Sequence, residues 1–280
     1  ELAALVGRIY QALNGDYPTD STIREVRTAI TYCKNMMLSA DEIAAQDFGL
    51  PRFSELYTHY CAALREARQM DYDDQMAYAL AILRKQPEIL AEFQARYPYL
   101  CVDESQDTSR VQHATIELLA KKTGNLFMVG DEDQSIYGFR AAYPEALLRF
   151  SSVWPGAKTL LLEDNYRSTP EILAACNSLI SKNANRIKKD LLPMLPGGVP
   201  VLCHHAANSE QEARWIAAQI KTLHKAGTPY RDMAILYRAH YITRGVEEIL
   251  LKEKIPYTIY SGVQFFARAE IKDALSYLRM

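Results

Sequence analysis

Several common features are scarce in this 280-residue sequence, and each scarcity argues against a class of protein. No apolar run approaches the roughly 18 residues of a membrane-spanning helix, and no segment has the pattern of a signal peptide. The five cysteines are odd in number and include no C-x-x-C pair, which argues against a disulfide framework or a zinc ribbon. We therefore expect a cytoplasmic protein with reduced thiols and no membrane partner.

An excess of either charge is also missing, because 32 basic and 34 acidic residues give a formal net charge of −2. A nucleic-acid-binding protein with this balance must concentrate its basic residues locally. The densest such group is Lys182, Arg186, Lys188 and Lys189. This group is as compatible with a solvated helix end as with contacts to phosphate, so a DNA role for Lys188 and Lys189 stays open.

The order of apolar patterns predicts helices first and an α/β arrangement afterwards. In the first seventy residues apolar side chains recur at helical spacing, and Ser39 with Glu42 has the form of a capping box. From residue 97 onward helical patterns alternate with short apolar runs, as in parallel sheets. We predict strands at residues 99–102, 126–129, 159–162, 199–203, 233–237 and 257–260. We predict helices at residues 111–121, 144–150, 170–180, 209–226 and 243–254, and a loop at residues 191–200.

Two acidic motifs follow directly on two of these predicted strands. Residues 103–107 read Asp-Glu-Ser-Gln-Asp, and residues 130–138 read Gly-Asp-Glu-Asp-Gln-Ser-Ile-Tyr-Gly. Open α/β sheets bind ligands at the carboxyl ends of their strands. There Asp103 could hold Mg²⁺ through oxygen, and Glu104 could polarise the water that attacks a nucleotide. The alternative is that both acids only stabilise the start of a following helix.

Three further acids, Asp71, Asp73 and Asp74, lie where a new helix is expected to begin. Acidic side chains in a first helical turn interact favourably with the helix dipole. A metal-binding role is the alternative, although no further ligand lies nearby in the sequence. We expect the helix-start role, and the sequence does not decide between the two.

Aromatic and arginine residues beside the acidic motifs are candidate contacts for nucleotide or nucleic acid. Tyr137 and Phe139 lie on a glycine-containing loop and could stack on bases, while Arg140 could pair with a phosphate or a base. In Tyr166-Arg167, the ring could stack on a base while the guanidinium reaches charge developing on a γ-phosphate. The alternatives are ordinary core packing of the rings and an ion pair of Arg167 with a neighbouring carboxylate such as that of Glu163.

Five segments together resemble the UvrD/PcrA/Rep group of superfamily 1 DNA helicases in order and spacing. The matching segments are residues 70–74, 102–108, 129–140, 162–169 and 255–273. The resemblance implies RecA-like parallel sheets of a P-loop NTPase, ATP and Mg²⁺ as cofactors, and 3′ to 5′ movement on single-stranded DNA with unwinding at duplex junctions. It also implies a connection to DNA repair, and it names no protein partner.

The resemblance assigns roles to residues that match the family's motifs. It makes Asp103 the Mg²⁺ ligand, and it makes Glu104, Gln134 and Arg167 the catalytic residues. ATP-binding residues would be Asp103, Glu104, Gln134, Tyr166 and Arg167, and DNA-binding residues would be Tyr137, Phe139 and Arg140. The chain departs from the family at Phe139, where Trp is more common, and at Ser105, Ser109, Ala141 and Asp164.

The resemblance also implies three domains and reveals one missing motif. Residues 1–69 would form the helical insertion called 1B, residues 70–160 the latter half of the first motor domain, and residues 161–280 the first part of the second. The family's phosphate-binding loop, G-x-x-x-x-G-K-[ST], does not occur in the sequence. We therefore expect a piece of a longer helicase that is inactive alone. The alternatives are a non-catalytic DNA-binding or regulatory module and the motor portion of a helicase-nuclease.

Overall fold

The computed structural model describes residues 1–260, and the chain divides into two compact units, Glu1–Val199 and Pro200–Met280. The part of the sequence match at residues 262–273, with Phe265, Phe266 and Arg268, lies outside the described residues. No helix within residues 1–260 combines the length and the apolar character that crossing a bilayer requires.

The first unit begins with four helices around an apolar core, as the sequence predicts. They are α1 (Leu2–Asn14), α2 (Asp20–Asn35), α3 (Ala40–Ala45) and α4 (Phe53–Glu66). The α3 helix begins at a capping box in which Ser39 and Glu42 satisfy each other's backbone N–H groups. The core of the four helices consists of Val6, Val26, Ala29, Ile30, Cys33, Ile43, Phe53, Leu56, Tyr60 and Leu64.

A buried ion pair joins α2 to the next helix, α5 (Tyr72–Lys85). The Lys34 ammonium lies 2.7 Å from a carboxylate oxygen of Asp71 and 2.7 Å from one of Asp74. Tyr60 donates a hydrogen bond of 2.8 Å to Asp71, and Asp71 and Asp74 form the capping box that begins α5. The helix-start role predicted for these acids is therefore observed, and the cation beside them is the chain's own lysine.

A short βαβ unit follows α6 (Pro87–Arg96) and consists of β1 (Leu100–Val102), α7 (Arg110–Ala120) and β2 (Leu126–Met128). The two strands are parallel, with Leu100 beside Leu126 and Val102 beside Met128. The predicted strands at residues 99–102 and 126–129 are thus confirmed. Because the strands are parallel neighbours, both acidic motifs leave the same edge of this sheet.

The rest of the first unit departs from the sequence prediction in three places. A second parallel pair joins β3 (Asp164–Asn165) and β4 (Leu192–Pro193), with α10 (Pro170–Ile180) between them. The predicted strand at residues 159–162 is wrong, and part of the predicted loop at 191–200 is a strand. The predicted helix at 144–150 is replaced by α8 (Glu145–Leu148) and α9 (Phe150–Val153). The α7 and α10 helices agree with the predictions.

The second unit contains α11 (Ser209–Lys225) and α12 (Thr243–Lys252), packed around Ala217, Leu250 and Ile255. The strands predicted at residues 199–203, 233–237 and 257–260 are wrong, because these segments belong to no sheet in the described chain. A run of β-favouring residues forms a strand only when a neighbouring strand completes its backbone hydrogen bonds. Parallel α/β pairing is therefore observed in two small sheets of the first unit, without the predicted sheet of the second.

Candidate functional site

Asp103 and Glu104 lie at the carboxyl end of β1, and both side chains are exposed. Asp103 accepts a hydrogen bond of 2.9 Å from the backbone N–H of Glu104. Glu104 has the left-handed backbone conformation, with φ of 48° and ψ of 41°. A non-glycine residue in this conformation stores strain on the order of 1 to 3 kcal/mol, and such strain is frequent at functional sites. The turn therefore presents two carboxylates to solvent instead of burying them in a helix cap.

The side chain of Gln106 connects this turn to the second acidic motif. It is only 2% exposed. Its amide donates a hydrogen bond of 2.6 Å to Glu104, and its carbonyl oxygen accepts one of 2.9 Å from the backbone N–H of Asp131. A Cβ on Gly130 would lie 2.7 Å from that carbonyl oxygen, so the link requires glycine there. The sequence predicted no role for Gln106, and the only hint of one is its position between Glu104 and Asp107.

Gln134 extends the same chain of hydrogen bonds. It lies at the end of a short 3₁₀ turn, Glu132–Gln134, and its side chain is exposed. The Gln134 amide donates a hydrogen bond of 2.8 Å to Asp131. Burial opposes ionisation of Asp131, but hydrogen bonds from Gln134 and Lys189 outweigh it and hold the pKa of this carboxyl below 3.8. Glu104 and Gln134 are thus connected through Gln106 and Asp131.

Tyr137, Phe139 and Arg140 form one exposed cluster just after this turn. The two rings are 37% and 56% exposed, and their centroids lie 5.9 Å apart. The Arg140 guanidinium lies 5.2 Å from the Tyr137 ring centre and 5.6 Å from that of Phe139. Neither ring is a core residue, so the packing alternative does not describe them. Phe139 also lines a groove that includes Arg24 and Tyr32 of α2.

Tyr166 and Arg167 are displayed on a turn at the end of β3. The Asn165 side chain accepts hydrogen bonds from the backbone N–H groups of Arg167 and Ser168, at 3.0 and 2.8 Å. The Tyr166 ring is 68% exposed. Within residues 1–260 the Arg167 guanidinium forms no ion pair, so the predicted alternative of pairing with Glu163 is not observed. Among the described residues, the hydrogen bonds to the Asp103 and Glu104 carboxylates come from the Glu104 backbone N–H and from Gln106, and not from Tyr166 or Arg167.

The four basic residues singled out in the sequence separate into two pairs. Lys182 and Lys188 are exposed. Arg186 and Lys189 instead form ion pairs with the acidic residues of the second motif. A phosphate-binding patch of all four residues is therefore not what the structure contains.

Two buried polar atoms of the first motif have no hydrogen-bond partner among the described residues. They are the Ser105 hydroxyl oxygen and one Asp107 carboxylate oxygen. Burial, with the neighbouring negative charge of Glu104, raises the pKa of the Asp107 carboxyl. Buried polar atoms are normally hydrogen-bonded, and an unpaired one is an exception in a native structure. The buried polar atoms of this turn therefore form fewer hydrogen bonds than those of an ordinary helix cap.

Comparison with known families agrees with these motifs along almost the whole chain. Residues 3–155 match the model of the UvrD/REP helicase N-terminal domain, and residues 160–280 match that of the UvrD-like helicase C-terminal domain. DNA helicase II of Escherichia coli is 42% identical over 238 residues, which are 84% of this chain and 33% of the relative.

A second relative, the ATP-dependent DNA helicase PcrA of Staphylococcus epidermidis, is 39% identical over 254 residues, 90% of this chain and 35% of the relative. The PcrA of Staphylococcus aureus is 39% identical over 236 residues, 84% of this chain and 32% of the relative. The chain thus spans about a third of the length of the curated relatives it matches.

Proposed function

We propose, because this chain belongs to the UvrD/REP helicase family, that it is part of an ATP-dependent motor that moves 3′ to 5′ along single-stranded DNA and unwinds duplex junctions. One observation carries the proposal: the hydrogen-bonded connection from Glu104 through Gln106 and Asp131 to Gln134. It joins the carboxylates suited to nucleotide hydrolysis to the loop that carries the exposed aromatic cluster. A motor needs such a connection, because hydrolysis must change its grip on DNA.

The carboxyl edge of β1 would contribute the metal and water half of the ATP site. Asp103 would hold Mg²⁺, since it presents hard oxygen ligands to solvent, and Glu104 would accept the proton of the attacking water. Bound MgATP would supply the γ-phosphoryl group for transfer to that water. Gln134 would sense the γ-phosphate, Tyr166 would stack on the base, and Arg167 would stabilise charge on the phosphate. The exposure of Tyr166 and Arg167 supports these roles.

The Tyr137, Phe139 and Arg140 cluster would hold single-stranded DNA. Exposed rings stack on any base, and a motor that moves along a strand needs this tolerance of sequence. Arg140 would add a charge that attracts the phosphate backbone.

We also propose that residues 1–69 are the 1B insertion, residues 70–160 the latter half of the first motor domain, and residues 161–280 the first part of the second. Two findings support this division, although the compact units of the structure divide the chain after Val199. The two family matches meet between residues 155 and 160, and the first seventy residues have their own helical core. The five free cysteines support a reducing compartment such as the cytoplasm.

The DNA-binding proposal is tested by titrating a fluorescent oligothymidylate with the 280-residue chain and measuring anisotropy. We expect salt-sensitive binding, because phosphate contacts release counterions. Tyr137→Ala should weaken it about 5- to 150-fold, since stacking on one base is worth roughly 1 to 3 kcal/mol. Tyr17→Ala, which removes a ring that is 82% exposed but distant in sequence, is the matched control. Equal affinity of the Tyr137→Ala and Tyr17→Ala chains would remove Tyr137 from the DNA site.

The chain lacks the phosphate-binding loop, so we expect no DNA-stimulated ATP hydrolysis above the level of a Glu104→Gln variant. Phosphate release measured with and without oligothymidylate tests this expectation. Turnover that depends on DNA and disappears in Glu104→Gln would show that the chain holds phosphate by other means.

A further inference from the structure

Two basic side chains from the segment that follows α10, Arg186 and Lys189, form ion pairs with the acidic turn of the second motif. We call this set of ion pairs the clamp. The Arg186 guanidinium donates to both carboxylate oxygens of Asp133, at 2.8 to 3.1 Å. It also donates to the backbone carbonyl of Lys189, at 3.0 Å. Paired donors from one guanidinium to one carboxylate fix its orientation as well as its charge.

Lys189 occupies the centre of the acidic turn. Its ammonium lies 2.9 Å from Asp131, 2.8 Å from Glu132 and 3.3 Å from Asp133, and its side chain is 13% exposed. Carboxylate oxygens of the three acids lie within 4.8 Å of one another, a spacing that could suit a metal ion. Lys189 lies among the three acids and Arg186 pairs with Asp133, so two of the three negative charges are balanced from within the chain. The backbone N–H of Ile187 adds a hydrogen bond of 2.8 Å to Glu132.

The clamp is connected to Gln134 through Asp131. One carboxylate oxygen of Asp131 contacts Lys189 and the other accepts the hydrogen bond from Gln134. Asp131 is thus shared between the lysine and the glutamine. Burial opposes the charge of Lys189, but hydrogen bonds to Glu132 and Asp131 outweigh it and raise its pKa above 10.5. The ammonium therefore stays charged at neutral pH, and so does its acidic partner.

We propose that Arg186 and Lys189 are positioning residues that hold the Glu132–Gln134 turn and thereby orient Gln134, instead of contacting DNA phosphates themselves. The role of Gln134 in this inference rests on the proposed function. The acidic turn and the two basic residues lie in one compact unit, Glu1–Val199, although they fall in different family matches, residues 3–155 and residues 160–280. The orientation of Gln134 then depends on a segment about 55 residues further along the chain.

The clamp itself is tested without DNA, by amide hydrogen exchange. In Lys189→Met we expect the amides of Gln134, Ser135 and Ile187 to exchange at least tenfold faster, because the half-buried acids lose one of their two counter-charges. Lys188→Met, the exposed neighbour, should leave these rates unchanged. If Lys189→Met does not fold, Glu132→Gln keeps the shape, removes one charge and should accelerate the same amides. Unchanged rates at these amides in a folded variant would overturn the proposal.

The distinction between positioning and phosphate contact is tested by salt. A lysine that contacts single-stranded DNA contributes about 0.7 to the slope of log affinity against log salt. For Lys189→Met we expect weaker oligothymidylate binding, about three- to tenfold, with an unchanged slope. A slope that falls by about 0.7 would mean a direct phosphate contact and would overturn the proposal. If the unmodified chain binds no DNA, the proposed function fails, and hydrogen exchange still decides the clamp.

Discussion

The chain contains two groups of acidic residues that look alike in sequence and differ in structure. Asp71, Asp73 and Asp74 belong to a helix start, where Lys34 from α2 is buried against two of them. Asp131, Glu132 and Asp133 form a turn between elements, and Lys189 comes from a distant loop. In both places a lysine of the chain is the cation that lies against the carboxylates.

The difference between the two groups is in what the ion pairs hold. At α5 the acids cap a helix, and the lysine joins that helix to the core of the first four. At the turn the Asp131 side chain accepts a hydrogen bond from Gln134, and the Asp131 backbone N–H donates one to Gln106. Exposed side chains with candidate roles in binding lie next to this turn. The first network thus stabilises a fold, whereas the second connects parts of a site. Variants of the first network should therefore lose stability, whereas variants of the second should also lose binding.

The largest expected effect is loss of stability in Lys34→Met. This change leaves Asp71 and Asp74 buried without their counter-charge, and breaking a buried pair costs about 3 to 5 kcal/mol. The free energy of unfolding from urea denaturation tests it. The exposed pair Arg52 and Glu55 is the control, so Glu55→Gln should leave the urea midpoint unchanged. Equal midpoints for Lys34→Met and the unmodified chain would contradict a structural role for the first network.

A smaller loss, about 1 to 3 kcal/mol, is expected from Gly130→Ala, because overpacking a close contact costs about that much. The new Cβ would lie 2.7 Å from Gln106 and 2.8 Å from Leu147. Gly138→Ala is the matched control, since a Cβ there meets open space. Gly130→Ala should also weaken oligothymidylate binding, whereas Lys34→Met should not do so at temperatures where it is folded. A Gly130→Ala chain as stable as Gly138→Ala would contradict the close contact.

The smallest effect is in the pH dependence of stability. Burial opposes ionisation of Asp71, but hydrogen bonds from Lys34, Asp74 and Tyr60 and the charge of Lys34 outweigh it and lower its pKa below 3.8. A carboxyl with a lower pKa in the folded state contributes stability above 3.8 that is lost as the pH falls through the folded value. The free energy of unfolding should therefore decline less steeply below about pH 4 in Asp71→Asn than in the unmodified chain. Parallel curves for the two chains would contradict this.

The sequence predicted the parts of the molecule that depend on local patterns. Helical spacing identified the helical first seventy residues, α7 and α10, and a capping box located the start of α3 at Ser39. The apolar runs before Asp103 and Gly130 predicted β1 and β2, because acids at the end of a buried strand are a local signal. The strand at residues 159–162 was wrong, since its formation depends on a partner strand and not on its own composition.

Long-range contacts at the site could not be predicted in the same way. The sequence placed Arg186 and Lys189 in a basic patch, but 53 to 58 residues separate them from the carboxylates they bind. Gln106 likewise has no feature that reveals its two hydrogen bonds. Such pairings depend on how the chain returns to the sheet edge, which composition and spacing do not encode.

Cross-linking tests the proposed DNA site most directly. A bromodeoxyuridine-substituted oligonucleotide would be bound to the 280-residue chain, irradiated, and the attached peptide identified by mass spectrometry. We expect the cross-links on residues 136–140, with Tyr137 or Phe139 as the attachment point, and their loss in Tyr137→Ala combined with Phe139→Ala. Cross-links confined to α11 or α12, or unchanged in the double variant, would contradict the proposal that the exposed aromatic cluster holds the strand.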